Sequence, residues 1–310
     1  NSLCDVASIT ITITGGGGTD TDGDGCTDDV DDYPNDPDRC FDIYYPASGD
    51  GTLAYDDLWP GKGDYDFNDL VMDYRFKTVT NSNNKVVEIF GTFTVKAFGA
   101  ALENGFGFQF PNDNIDQADM TVTGYDLQEG IISLNASGLE NGQSKPTVIV
   151  YDNAYNIMEY PGSGIGVNTS PGATYVDPET LNIYIDVVDN KYTYSEVDIP
   201  NFNPFIFVDL TRGREVHLPD YPPTDLVDNS YFGTYEDDTD LNTGKYYKTV
   251  NNLPWAINIY ESFDYPKEKV QVISAYNFFQ NWAESNGTTY QDWYQDNPGY
   301  RNNSNIYQVP

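Results

Sequence analysis

Seventeen aspartates and no glutamate fall between Asp20 and Asp73, with Arg39 and Lys62 as the only cations in that stretch. The local net charge is −15 over 54 residues, close to half of the formal −34 carried by all 310. A solvated acidic helix would favour Glu for its helix propensity, whereas Asp suits loops in which a short carboxylate points inward. Like charges at this density repel strongly at close range, and divalent cations are the remedy this pattern points to. The rest of the chain excludes wholesale disorder, because aromatics make up 15 % of it, with 26 Tyr and 16 Phe. Its length allows one large domain or two ordinary ones. Nucleic acid and anionic membrane surfaces are poor partners for so negative a surface.

The first part of the tract has a spacing that can be compared with a known geometry. With Asp20 at position 1 of an EF-hand-like loop, Asp22 and Asp24 fall at 3 and 5, and Gly25 at the sharp turn at 6. Cys26 offers a carbonyl at 7, Asp28 falls at 9 and Asp31 at 12, where a helical EF-hand has Glu. Glycines 15–18 precede the loop and a Pro-containing turn follows it, so no amphipathic helices flank it. Hard oxygen ligands in this number suit Ca²⁺ rather than Zn²⁺. The expected ligands are therefore Asp20, Asp22, Asp24, Asp28, Asp31 and the carbonyl of Cys26, with Asp29, Asp32 and Asp36 for a second ion. Cys26 and Cys40 bracket this loop, and a disulfide between them would close a small ring. The other reading is two separate buried thiols.

A second acidic constellation runs from Asp56 and Asp57 through Trp59, Pro60 and Gly63 to Asp64, Asp66, Asn68 and Asp69. It is not an EF-hand, since Asp69 stands where Gly is needed and Arg75 where the closing acid would be. Asp64, Asp66, Asn68 and Asp69 can hold a cation by ligand type, or can cap a tight loop through Asx-turns. After them Leu70, Met72, Tyr74 and Phe76 alternate with Val71, Asp73 and Arg75, which predicts a strand leaving an acidic turn at a sheet end.

Beyond this point the chain reads as mainly β. Alternating runs occur at residues 10–14, 86–98 (Val87, Ile89, Phe93 and Val95 inward), 147–151, 181–188 and 205–210, and Phe106, Phe108 and Phe110 share one strand face. Gly, Asn, Asp and Pro punctuate them at short intervals, as in antiparallel sandwiches. The expected fold is an antiparallel, jelly-roll-like β-sandwich with a short C-terminal helical pair and an N-terminal calcium loop. The first helix is expected from Pro266 to a stop at Gly287, with Ile273, Tyr276, Phe279 and Trp282 on one face, and the second over 289–295.

At residues 20–37 the chain resembles a thrombospondin type 3 repeat, in which aspartates wrap calcium with little regular secondary structure. From Phe41 onward it resembles the LruC-type domain, a family of unknown function on exported proteins of Gram-negative bacteria. That likeness is carried by Asp57-Leu-Trp-Pro-Gly-Lys-Gly-Asp-Tyr-Asp-Phe-Asn-Asp-Leu-Val71, Glu103-Asn-Gly-Phe-Gly-Phe108 and Arg212-Gly-Arg-Glu-Val-His-Leu-Pro219, then Asn252-Leu-Pro-Trp-Ala-Ile257 and Tyr300-Arg-Asn-Asn-Ser-Asn-Ile-Tyr307. The organisation implied is a linker or edge strand over 1–19, a calcium loop over 20–40 and a β domain over 41–310. The resemblance implies an exported surface or periplasmic protein and supplies no enzymatic activity. The LruC pattern tends to lack cysteines at positions 26 and 40, so their joint appearance favours a bond between them.

No stretch approaches the roughly 20 apolar residues of a membrane span. The start carries no initiator Met, basic segment or apolar signal core, so the expectation is a mature product whose signal or anchor has been removed. Support for catalysis is thin. His217 is the only histidine, and Gly162-Ser163-Gly164 lacks the outer glycine spacing of a nucleophile elbow. Arg212, Arg214, Glu215 and His217 could receive an anionic group, but a salt-bridged strand is the more common arrangement for such residues. Trp59 and Trp255, with Trp282 and Trp293, could stack on sugars or pack a core. The expected function is a non-enzymatic, monomeric, calcium-binding module of the cell exterior that meets a glycan or a protein. The alternative is a carbohydrate-active enzyme or binding module with a carboxylate pair.

Overall fold

The structure, a computed structural model, describes residues 18–99 and 101–310. The alternating run at 10–14 and the fate of Cys4 lie outside the described residues.

Eleven strands are formed among the described residues: β1 Phe41–Tyr45, β2 Gly51–Tyr55, β3 Leu70–Thr80, β4 Val86–Ala97, β5 Gly105–Gln109, β6 Met120–Thr123, β7 Thr147–Tyr151, β8 Glu179–Val187, β9 Asn203–Phe207, β10 Glu215–His217 and β11 Ala256–Ile259. Four one- or two-turn helices join them: α1 Ala154–Ile157, α2 Tyr194–Val197, α3 Val272–Ala275 and α4 Phe279–Glu284. Every strand pairing is antiparallel. One sheet has seven strands in the order β11-β2-β3-β4-β8-β6, with β1 sharing an edge of β3 with β2; the other has the order β10-β9-β5-β7. The mainly β, sandwich-like fold expected from the sequence is the fold observed.

Alternation decides what lies between the sheets. Leu70, Met72, Tyr74 and Phe76 of β3 and Ile89, Phe93 and Val95 of β4 face Phe106 and Phe108 of β5 and Val148 and Val150 of β7 in one continuous core. The rings of Phe76, Phe93 and Phe108 meet at centroid distances of 5.5–5.7 Å, within the range that edge-to-face pairs favour. The odd face of β3 has a different job. Val71 pairs with Ala54 and Ala97 in the neighbouring strands, and these join Ile257 in a second cluster with Phe263, Tyr276, Phe279 and Trp293 of the C-terminal segment. The C-terminal lobe thus covers one outer face of the large sheet.

Two details depart from the sequence reading. Val87 does not point inward with Ile89; the pairing of β3 with β4 slips between Val79 and Thr80, and the bulge turns Val86 into the core instead. The long helix expected from Pro266 does not form. The backbone N–H groups of Lys267, Glu268 and Lys269 go to Asn305 O, Thr169 O and Asp66 Oδ2, and Lys269 has a φ of 62°, so the i→i−4 ladder cannot run through it. Helix starts only at Val272 and breaks at Tyr276, which bridges to Arg301, before resuming as α4. The helical pair is therefore α3 and α4, and residues 289–295 form turns.

Candidate metal centre

The pairing of β2 with β3 places Tyr55 opposite Leu70, so Asp56 and Asp69 emerge side by side at the end of two hydrogen-bonded strands. The loop between them returns to the same point. Its residues alternate between polar side chain and ring from Asp64 through Tyr65, Asp66 and Phe67 to Asn68, and Asp69 follows. Tyr65 and Phe67 both have positive φ, 56° and 55°. For bulky residues that is a strained conformation, held only when the surroundings over-determine it. What holds it is the second cluster, where both rings pack on Phe279 at 6.0 and 5.4 Å. With the rings committed outward, the acids turn inward.

One oxygen from each of Asp56, Asp64, Asp66 and Asp69 lies within 4.8 Å of the others. Asp56 is 0 % and Asp66 1 % exposed. Asp66 accepts from the N–H of Lys269 at 2.7 Å, and Asp69 Oδ2 from that of Asp57 at 2.9 Å. Asp56 Oδ2 and Asn68 Oδ1 are buried without any hydrogen-bond partner, a condition costly for an acceptor in the interior. Burial first, then neighbouring carboxylates, push Asp56 and Asp69 far above the usual range and Asp66 to about 7. Desolvation likewise raises Glu268 to about 7. Asp57 reaches about 6 through burial, moderated by the Asn104 amide at 2.7 Å and the charge of Arg214. Four converging carboxylates with an orphaned oxygen fit a hard divalent cation, which takes six to eight oxygens when it is Ca²⁺. Gly99 closes the far side, where a Cβ would lie 1.9 Å from Asn68 Oδ1 and 2.7 Å from Glu268 Oε2.

The sequence pointed to Asp64, Asp66, Asn68 and Asp69, and the structure brings all four here. It missed Asp56, which joins only through strand register, and Glu268, which arrives from the C-terminal lobe. No spacing rule links either to the loop.

The N-terminal loop makes a smaller group. Oxygens of Asp20, Asp22 and Asp24 also lie within 4.8 Å of one another. Asp22 Oδ2, Asp24 Oδ2 and Asp31 Oδ2 are buried and unpartnered. Burial, with the charges of Asp24, Asp22 and Asp32, raises Asp31 despite the N–H it accepts from Tyr33. Cys26 donates its N–H to Asp24 Oδ1 at 2.6 Å and is bonded to Cys40, with 6.3 Å between their Cα atoms. The structure does not bring Asp28 into this group; it accepts from Thr21, while Asp29, Asp32 and Asp36, expected for a second ion, accept from Thr27, Asp42 and Arg39 and so brace the turns.

Comparison with known proteins places this architecture. A family profile described as a domain of unknown function, DUF4842, matches residues 84–294. The chain belongs to the DUF4842 family. The match begins at β4, so the DUF4842 profile includes Glu268 but none of the clustered aspartates. A crystal structure of a candidate lipoprotein from Bacteroides ovatus is similar at a TM-score of 0.60 and 18 % identity, over 86 % of this chain and 76 % of that one. That likeness concerns the fold. No curated protein matches the sequence.

The remaining candidates in this DUF4842 chain sit in the interior. Trp59 and Trp255 are fully buried; Trp59 Nε1 donates to Asp237 at 3.1 Å and Trp255 Nε1 to Gly61 O at 2.7 Å. Arg214 donates to the carbonyls of Asp57 and Trp59 and so pins the start of the carboxylate-bearing loop. Arg212 forks onto Glu140 at 2.5 and 2.6 Å and reaches Glu215 at 2.5 Å. His217 stacks between Phe205 and Tyr247, with Nε2 2.8 Å from Glu215 and Nδ1 2.7 Å from Asn203 Oδ1. These are closed, paired networks rather than open anion sites. Among the described residues, no helix is long and apolar enough to cross a membrane.

Proposed function

We propose that this chain is a calcium-binding, non-enzymatic module of the bacterial cell exterior, with a ligand-binding or structural role. The observation that carries the reading is the fully buried Asp56, whose Oδ2 has no partner and which faces three further carboxylates. A cation there would join β2, β3 and the C-terminal lobe through one set of ligands. A second ion at Asp20, Asp22, Asp24 and Asp31 would stiffen the disulfide-closed entry to the domain. The Cys26–Cys40 bond suits an oxidising compartment, and the LruC-type and thrombospondin type 3 resemblances point the same way.

Glycoside hydrolysis needs two carboxylates astride an accessible bond. The clustered aspartates are turned into the protein, which favours a cation over a substrate. Calorimetric titration of the calcium-stripped chain tests the reading. Calcium should bind with heat, and Asp56→Asn should abolish the tighter event; no heat with wild type would contradict it.

A further inference from the structure

A cleft of 590 Å³ opens where the edge strand β11 meets α4 and the turn after β10, on the C-terminal lobe and apart from the carboxylate centre. Its volume falls in the range of small-molecule sites. Five aromatic residues line it: Tyr221, Tyr260, Trp282, Trp293 and Tyr294. Trp282 is half-buried, and its indole is backed by Phe279 at 5.6 Å and Trp293 at 5.4 Å, so its ring is held in place before any ligand arrives. Tyr260 is 47 % exposed.

The polar groups between these rings have settled directions. Asn258 Oδ1 accepts from Tyr74 Oη at 2.9 Å, and Asn286 Oδ1 accepts from Lys248 Nζ at 2.9 Å. Both amides therefore keep their NH₂ groups as donors. Gln291 Nε2 donates to Gly287 O at 3.2 Å, which leaves Oε1 as an acceptor. Lys248 is neutralised by Asp220 at 2.6 Å. The cleft thus offers flat apolar faces, oriented donors and an acceptor, with its one ion pair already closed.

A ligand that matches must present apolar patches alternating with hydroxyls, which both donate and accept, and must carry no net negative charge against a chain of −34. We propose that this cleft binds a neutral oligosaccharide, its sugar rings stacked on Trp282 and Tyr260 and its hydroxyls held by Asn258, Asn286 and Gln291. The inference rests on the ligand-binding half of the reading above and not on the cation.

The test uses the full chain on a printed array of neutral and acidic glycans plus a proline-rich decapeptide, followed by calorimetric titration of hits with calcium and with EDTA. At least one neutral glycan should bind, and Trp282→Ala, Tyr260→Ala and Gln291→Ala should each weaken it 10-fold or more. Gln291→Ala alters an exposed side chain, so its melting temperature should stay at the wild-type value even if Trp282→Ala unfolds, while Tyr260→Ala, which also loses an edge contact with Tyr45 at 6.0 Å, is read at a temperature where it stays folded. Binding to no neutral glycan, to acidic glycans or the peptide only, or undiminished by Tyr260→Ala and Gln291→Ala overturns the proposal. Loss of the calcium response alone bears on the metal centre and leaves sugar binding to be read in EDTA.

Discussion

The backbone N–H of Lys269 donates to Oδ2 of Asp66 at 2.7 Å, across 203 residues of sequence. Asn68 Nδ2 makes a parallel link to Pro266 O at 3.1 Å. The loop that carries the carboxylates therefore also holds the C-terminal lobe against the outer face of the large sheet. Fixing the loop with a cation should slow opening of that lobe. Amide hydrogen exchange should show residues 265–284 gaining protection on calcium addition, with β5 and β7 little changed. Equal protection throughout would mean that the ion acts elsewhere.

Replacing one carboxyl of the centre by an amide should have opposite effects with and without calcium. In EDTA, Asp56→Asn spares the cost of desolvating and protonating a buried carboxyl and should melt above wild type by roughly 2–4 °C, the shift that ~1 kcal/mol makes in a large domain. In calcium it should melt below wild type, because a ligand is missing. Thermal unfolding in both buffers checks the crossover; a variant less stable in both would argue for a purely structural Asp56.

The difference between what was and was not legible in the sequence follows from these same residues. Asp64, Asp66 and Asp69 could be read because their spacing is local. Asp56 could not, since its place depends on Tyr55 pairing with Leu70, and register is not visible in a single strand. The apolar spacing of Ile273, Tyr276, Phe279 and Trp282 suggested one helix, but the positive φ of Lys269, the hydrogen bond from Val272 N–H to Tyr65 O and the bridge of Tyr276 to Arg301 interrupt it. The sandwich itself was legible because period-two alternation survives tertiary context in β3 and β4 apart from the bulge beside Val87, whereas β9 is buried on both faces and ends at Phe207.

Glu215 gives a pH dependence separate from any metal. Burial acts to raise its carboxyl, but the His217 hydrogen bond and the Arg212 charge outweigh that and hold it at about 2, below its ordinary 4.5. A depressed folded-state value means stability that is present above pH 4.5 and lost as pH falls towards 2. Denaturant unfolding between pH 3 and 6 should show this slope in wild type and a flatter one in Glu215→Gln. The same variant leaves Arg212 with an incomplete set of buried partners and should cost about 3–5 kcal/mol at pH 7. An unchanged slope would assign the acid sensitivity to other groups.

Opening the Cys26–Cys40 ring should affect the N-terminal loop and spare the buried centre. The bond closes a loop with a sequence separation of 14, for which chain entropy gives about 3 kcal/mol. The double variant Cys26→Ser/Cys40→Ser should lose the weaker of two calcium events in calorimetric titration and keep the tighter one. Loss of both would show that the two sites are coupled.

The central claim is that Asp56, Asp64, Asp66 and Asp69 hold a cation, and a crystal structure grown in calcium with anomalous data tests it most directly. An anomalous peak should lie at the centre, about 2.3–2.6 Å from oxygens of these four residues. A structure with no peak there, and with the carboxyl groups hydrogen-bonded to one another as protonated pairs, would contradict it.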